Sequence, residues 1–181
     1  KSEVAGWPLF GLLAKLQRTV FVDRRARLVA GQRDEIVKRL AKGDNLILFP
    51  EGTSSDGNRI LPFKSALLSA AELEVDGAPI PVQPVSVAYT HLDGIPMGRH
   101  FRPFYAWYGD MDMASHMWQM AGLGLVRVTV EFHPPITLAE LGSRKALARH
   151  AQGAVLAGLA TALAGRPQDA PALALAPPAA A

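Results

Sequence analysis

Apolar residues fill most of positions 4–17, VAGWPLFGLLAKLQ, with breaks at Pro8 and Gly11. The pattern predicts a short helix, buried or lying at an interface, and then a short strand at 19–22. Val29, Ile36, Val37 and Leu40 recur at helical spacing among charges over 29–42, and Gly43 stands where that helix should stop. NLILF (45–49) has apolar residues without alternation, the mark of a strand buried on both faces. PFKSALLSAAEL (62–73) predicts a helix with Pro62 in or near its first turn, where a missing N–H costs little.

A strand is expected within 80–89, with Pro79, Pro81 and Pro84 limiting where it can pair. A loop rich in Gly, Pro, His and Arg follows over 91–103, then a strand or turn at 104–109 and a helix at 112–121. LVRVTVEF (125–132) alternates cleanly and predicts a strand; residues 143–163 predict a long amphipathic helix. Strands alternating with helices over short connections place the chain in the α/β class, as one layered domain with a mixed sheet flanked by helices. That domain is expected to span 1–165; the Ala- and Pro-rich residues 166–181 read as a disordered tail.

Composition narrows the partners. The chain has 181 residues, 49% hydrophobic and 19% charged, enough to bury a real core. With no cysteine, a disulfide scaffold, a thiol nucleophile and a cysteine metal site are excluded. A net charge of +3 favours an anionic partner: phosphate, membrane surface or nucleic acid. Aromatics make up 7% of residues and do not interleave with a basic stripe, so nucleic acid is not expected. No apolar run reaches the roughly 18 residues a spanning helix needs. Trp7, Leu9, Phe10, Leu12 and Leu13, bordered by Lys15, Arg18, Arg24, Arg25 and Arg27, fit a face that lies on a membrane surface, or equally a core helix beside a charged edge.

The candidate chemistry sits in FPEGTSSDGNRILPFK (49–64). Glu51 stands where the expected strand ends, and ligands in open α/β sheets collect at such carboxyl ends. Gly52 and Gly57 permit backbone N–H groups to converge on an anion, with Arg59 and Lys64 placed to add charge. Ser-Ser-Asp-Gly-Asn is also ordinary turn chemistry, so composition leaves a plain loop open. A phosphate-binding P-loop is excluded, because Asn58 and Arg59 stand where Lys and Ser or Thr are required. No G-x-S-x-G elbow supports a hydrolase. Among the histidines, His116 beside Met111, Met113, Met117, Trp118 and Met120 reads as core, or as a contact for an acyl chain or bilayer. His91 and Asp93 are too close in sequence to imply a dyad.

FPEGT (49–53) followed by PFK (62–64) resembles a motif block of the glycerolipid acyltransferases, the PlsC-like enzymes that include lysophosphatidic acid acyltransferases. K-S-E-x-x-x-W-P-x-F-G (1–11) with F-V-D-R (21–24) resembles the block before it, and I-P-V-Q-P-V-S-V (80–87) the block after it. AWYGDM (106–111) and RKALA (144–148) are similar to bacterial members. The resemblance implies an acyltransferase fold and a reaction in which an acyl group passes from acyl-CoA or acyl-carrier protein to a lysophospholipid such as 1-acylglycerol 3-phosphate. It implies neither metal nor cofactor. A lyso-ornithine lipid acceptor, or a non-catalytic lipid- or phosphate-binding module, is the alternative.

By the same resemblance Glu51 and Gly52 bind the acceptor or shape its pocket, and Arg24 contacts its phosphate through a guanidinium fork. Lys64 matches the PFK lysine, and Thr53 donates a hydroxyl or caps a turn. The family's base is the histidine of an H-x-x-x-x-D block. Five residues after His91, His100, His116, His133 and His150 stand Pro96, Tyr105, Ala121, Leu138 and Val155, none an aspartate. The block is therefore expected upstream of Lys1, in a longer protein associated with the cytoplasmic face of the inner membrane, and this chain alone is expected to be inactive. Two departures bear on the acceptor. Arg18 replaces a family glycine, and Ser54 stands where arginine often follows FPEGT.

Overall fold

A computed structural model of the chain describes residues 30–165. The chain divides into two compact units, Lys1–Asn45 and Leu46–Ala181. Of the first, the description covers α1 (Ala30–Ala41), the helix expected over 29–42. Ile36 is buried, and Lys38 and Arg39 in the last turn complement the negative end of the helix dipole. Gly43 N donates to Leu40 O at 2.9 Å, closing the helix where the sequence placed its stop.

In the second unit the central sheet has strand order β5–β4–β6. Here β4 is Val85–Leu92, β5 Ile95–Pro96 and β6 Val126–Phe132. The strands pair antiparallel, with Val85 opposite Phe132, Val87 opposite Val130 and an irregularity between Tyr89 and His91. Every pairing among the described residues is antiparallel, so the parallel neighbour of a mixed sheet is not among them. Before the sheet come the hairpin of β1 (Glu74–Val75) and β2 (Ala78–Pro79), and β3 (Pro81–Val82). Asp76 and Gly77 both take positive φ, as a type I′ turn requires. β3 pairs with β7 (Ile136–Thr137), and Pro84 lies between β3 and β4, as the prolines anticipated.

Three helices complete the unit: α2 (Met113–Ala121), α3 (Leu138–Leu141) and α4 (Arg144–Leu163). Asp112 caps α2 by accepting from Ser115 N, Thr137 and Glu140 form a capping box on α3, and Ser143 caps α4. α4 packs on the β4 face that carries Ser86, Ala88 and Thr90, burying Leu147, Ala148, Ala151, Val155, Gly158 and Leu159. Leu147, fully buried, joins Leu68, Ala71 and Ala148 in a core rimmed by Phe63, Val82, Ile136, Leu138 and Leu141.

Several expectations change. The loop expected over 91–103 is partly strand, since β4 runs on to Leu92 and pairs with β5. The helix over 62–73 is a 3-10 helix, Ser65–Glu72, starting three residues after Pro62. Its buried Leu68 and Ala71 are three apart, so the three-residue turn stacks them along one edge toward α4. NLILF, expected to be a buried strand, pairs with nothing among the described residues: Ile47 is 85% and Phe49 77% exposed. The outer face of the sheet shares that condition, with Val85, Val87, Val128, Val130 and Phe132 exposed. Apolar content marks a surface that wants cover. It does not supply the partner. At 104–109 the alternative left open resolves as a 3-10 turn, Arg102–Tyr105, followed by irregular chain.

Candidate functional site

The 49–64 segment folds into a loop closed at its neck by two bonds. Lys64 N donates to Pro50 O at 2.8 Å, and Leu61 N donates to Glu51 Oε2 at 2.7 Å. Phe63 N donates to Gln152 Oε1 at 3.0 Å, so the loop's exit is fixed to α4. Glu51 is thus first an internal clamp, an assignment its sequence position does not reveal.

Gly52 is required by geometry. Its φ is +70°, and a Cβ there would stand 3.1 Å from Lys64 Nζ and 3.2 Å from Leu67 Cδ1. The Lys64 ammonium therefore lies over the Gly52 backbone, beside the residue whose carboxylate forms the clamp. The fold brings Gly52 and Lys64 together, and Glu51 precedes Gly52 in the chain. Thr53 and Arg59 lie on the same loop as exposed residues, without a side-chain bond among the described residues. Arg24, expected to grip a phosphate, lies outside the described residues.

The loop's tip is ordered from within and from outside. Ser55 Oγ donates to Arg59 O at 2.8 Å, and Asn58 N donates to Asp56 Oδ1 at 3.1 Å, an Asx turn. That backbone bond, more than the neighbouring Arg59 charge, holds the Asp56 carboxyl below the usual aspartate pKa. From outside comes Arg102, a residue the sequence reading passed over. Its side chain is 9% exposed and donates to Tyr89 O at 3.3 Å, Asn58 Oδ1 at 2.9 Å and Met97 O at 2.7 Å. Burial, with Arg99 nearby, lowers its pKa from the ordinary arginine value. Asn58 Nδ2 donates in turn to Arg99 O at 3.0 Å, which fixes the amide's orientation. The 3-10 turn and the end of β4 thereby hold the candidate loop. An arginine inside F-R-P-F was the only available signal.

Of the histidines, His116 follows the core reading, whereas His91 stands half-buried in β4 and not in a loop. His116 is buried. His91 Nδ1 lies 3.0 Å from Thr90 Oγ1, while Asp93 accepts from Leu125 N, so the two do not form a dyad. One arrangement was invisible in the sequence. His133 Nε2 lies 3.2 Å from Ser86 Oγ, and its Nδ1 3.7 Å from Glu131 Oε1. The order matches a serine–histidine–acid relay, yet Ser86 is 3% exposed and sits under Gly158 of α4. A Cβ on Gly158 would overlap Ser86, Glu131 and His133. With no room for an acyl substrate above Ser86, the group is a buried polar seam between helix and sheet.

The chain has clear relatives. Residues 1–88 match the family model described as Acyltransferase. A lyso-ornithine lipid O-acyltransferase of Brucella abortus (strain 2308) is 48% identical over 170 residues, 92% of this chain and 64% of the relative. The lyso-ornithine lipid O-acyltransferase of Rhizobium meliloti (strain 1021) is 40% identical, over 94% of this chain and 60% of the relative. A 1-acyl-sn-glycerol-3-phosphate acyltransferase of Neisseria gonorrhoeae is 30% identical, over 81% of this chain and 54% of the relative. The chain thus spans between 54% and 64% of the length of these relatives. No solved structure is significantly similar to it. The FPEGT and PFK segments, the closed loop they form and the match over residues 1–88 lead to one conclusion: the chain belongs to the acyltransferase family.

Proposed function

We propose that this chain is part of a membrane-associated O-acyltransferase that esterifies a lysolipid, with lyso-ornithine lipid as the favoured acceptor and 1-acylglycerol 3-phosphate as the second. In the reaction the acceptor hydroxyl attacks the thioester carbonyl of acyl-CoA or acyl-carrier protein. A C–O bond forms, the C–S bond breaks, the hydroxyl proton passes to a base and the thiol departs. The 49–64 loop binds the acceptor head group through Glu51, the Gly52 backbone, Lys64 and Arg59, with Thr53 and Arg24 contributing. No metal or cofactor takes part.

The observation that carries the acceptor is the 48% identity to a lyso-ornithine lipid enzyme against 30% to a 1-acylglycerol-3-phosphate enzyme. Local charge supports the same choice. Ser54 supplies no cation where the family often has arginine, and the loop offers a carboxylate, Glu51, as well as the Lys64 ammonium over Gly52. An ornithine head group carries a carboxylate and an ammonium, which that pair matches better than it matches a doubly charged phosphate.

The base lies in an H-x-x-x-x-D block outside these 181 residues. No histidine here has that spacing, and the relatives are longer. The enzyme works at the cytoplasmic face of the inner membrane. The test is an acceptor panel on the longest natural polypeptide containing this chain, with acyl-CoA and acyl-carrier protein donors. Faster turnover of lyso-ornithine lipid than of 1-acylglycerol 3-phosphate is expected; the opposite order overturns the acceptor assignment. Turnover by residues 1–181 alone would overturn the placement of the base.

A further inference from the structure

Besides the NLILF segment, two apolar surfaces stay uncovered among the described residues, and they differ in kind. The outer sheet face is mostly β-branched (Val85, Val87, Val128 and Val130 with Phe132), the texture of a surface that packs against protein. The other surface is aromatic. Phe101 is 53% exposed, Phe104 49%, Trp107 41%, Met117 41% and Trp118 83%. They come from the 3-10 turn, the chain just after it and α2, and α2 packs against that turn. Phe101 and Phe104 stand with ring centroids 6.3 Å apart. On α2, His116 is buried while Trp118, two residues on and about 200° around the helix, is turned outward. A tryptophan with so little cover is rare on a protein that meets only water.

We propose that this aromatic surface docks the protein on a lipid bilayer. The proposal rests on the lipid acyltransferase reading only for the choice of partner. Indole and phenyl rings prefer the head-group zone, where an apolar body and, for indole, an N–H donor are both accommodated. Charge on one border is complementary to anionic lipid: Arg99, two residues before Phe101, is exposed and has no carboxylate partner among the described residues. Asp110 and Asp112 border the other side, and Asp112 is engaged as the cap of α2. No helix among the described residues is long and apolar enough to cross a membrane. Docking by this surface is therefore interfacial.

The position of the surface connects it to the acceptor loop. The turn that carries Phe101 and Phe104 also carries Arg102, and Arg102 and the Arg99 carbonyl are the two outside partners of Asn58 at the loop's tip. Seating the aromatics in the head-group zone holds the tip of the 49–64 loop close to the lipid surface through the Asn58 ties. A soluble acyl carrier can still approach from the water.

The test is co-sedimentation of the chain with phosphatidylcholine vesicles containing phosphatidylglycerol, for the unaltered protein, Trp118→Ser, the double variant Phe101→Ser/Phe104→Ser, and Arg99→Gln. Trp118 has almost no cover, so its substitution should leave the melting temperature unchanged. Partitioning is expected to fall roughly tenfold for Trp118→Ser, the loss of about one aromatic anchor. Arg99→Gln is expected to reduce the preference for phosphatidylglycerol vesicles over pure phosphatidylcholine. In a Trp7→Phe/Trp107→Phe background, Trp118 emission should shift to the blue on vesicle addition and be quenched by lipids with brominated chains. Unchanged partitioning of both serine variants, or Trp118 emission indifferent to vesicles, overturns the proposal. Concentration-dependent dimerisation abolished by Trp118→Ser, without vesicle binding, assigns the surface to a second copy and also overturns it. Acyl transfer to detergent-dispersed acceptor by the longer polypeptide is read separately, and its absence would count against the proposed reaction while leaving the docking result intact.

Discussion

Arg102 Nη1 donates to Asn58 Oδ1 at 2.9 Å across 44 residues of sequence, tying the tip of the candidate loop to the turn behind it. The guanidinium is buried without a carboxylate partner among the described residues, and it donates to Tyr89 O, Met97 O and the Asn58 amide. Removing it takes a donor away from three acceptors. Arg102→Ala should therefore destabilise the unit by about 2–4 kcal/mol, and Arg102→Lys, which cannot reproduce the fork, by about 1–3 kcal/mol. Asn58→Ala leaves Arg102 two carbonyls and should cost only about 1 kcal/mol while freeing the loop tip. Urea unfolding of the three variants, with acceptor KM on the longer polypeptide, separates the roles. A KM for Asn58→Ala equal to that of the unaltered enzyme would show that the tie does not serve the site.

Glu51 separates charge from clamp. Glutamine at 51 retains an oxygen for the Leu61 N–H, so Glu51→Gln should lower stability by less than about 1 kcal/mol. Glu51→Ala leaves that N–H without its acceptor at the loop neck and should cost about 1–3 kcal/mol. If the carboxylate charge meets the acceptor head group, Glu51→Gln should still reduce kcat/KM about tenfold or more on the longer polypeptide. Equal activity of Glu51→Gln and unaltered enzyme, with loss only in Glu51→Ala, would reduce Glu51 to a structural role.

How much of this was legible beforehand depends on the range of each signal. α4 was visible from its pattern over 143–163 and β6 from the alternation over VRVTVEF, both local properties, and the caps at Asp112 and Ser143 fall where the expected helices begin. That Glu51, Gly52 and Lys64 lie on one segment was legible from the FPEGT and PFK motifs, whose spacing does not display the bonds that close the loop. Arg102 was missed because its partners, Tyr89, Met97 and Asn58, are joined to it only by tertiary folding. The Ser86–His133 contact depends on a register that sets Ser86 opposite Glu131, and no short window of sequence contains a register. NLILF misled for the converse reason. Its composition encodes burial, and among the described residues nothing pairs with it.

The Ser86–His133–Glu131 seam yields a discriminating pair of substitutions. Gly158→Ala places a methyl group where Ser86, Glu131 and His133 already stand, so α4 must move off the sheet. Overpacking of this sort costs about 1–3 kcal/mol, and the lost contacts extend along a helix that carries half the core. Ser86→Ala removes only the hydroxyl at 3.2 Å from His133 and should cost about 1 kcal/mol. As the seam is structural, Ser86→Ala should retain acyl transfer in the longer polypeptide. Loss of activity with an unchanged melting temperature would instead make Ser86 part of the chemistry.

Asp56 gives the loop a dependence on acid. Its carboxylate accepts the Asn58 backbone N–H at 3.1 Å and the Asn58 amide at 3.3 Å, and these bonds, the backbone one foremost, lower its folded-state pKa from 3.8. A group whose folded value lies below its unfolded value stabilises the fold fully above the unfolded pKa and loses that contribution as pH falls through the folded value. The Asx turn should accordingly weaken below about pH 4 and be indifferent to pH between about 5 and 8. Asparagine at 56 offers the same Oδ1 acceptor and no titration. Urea midpoints for the unaltered chain should therefore fall more steeply below about pH 4 than those for Asp56→Asn, the two profiles running parallel above it. Other carboxylates titrate in both proteins and cancel in the difference. Profiles that stay parallel throughout the acid range would mean that the Asp56–Asn58 turn contributes nothing to holding the loop.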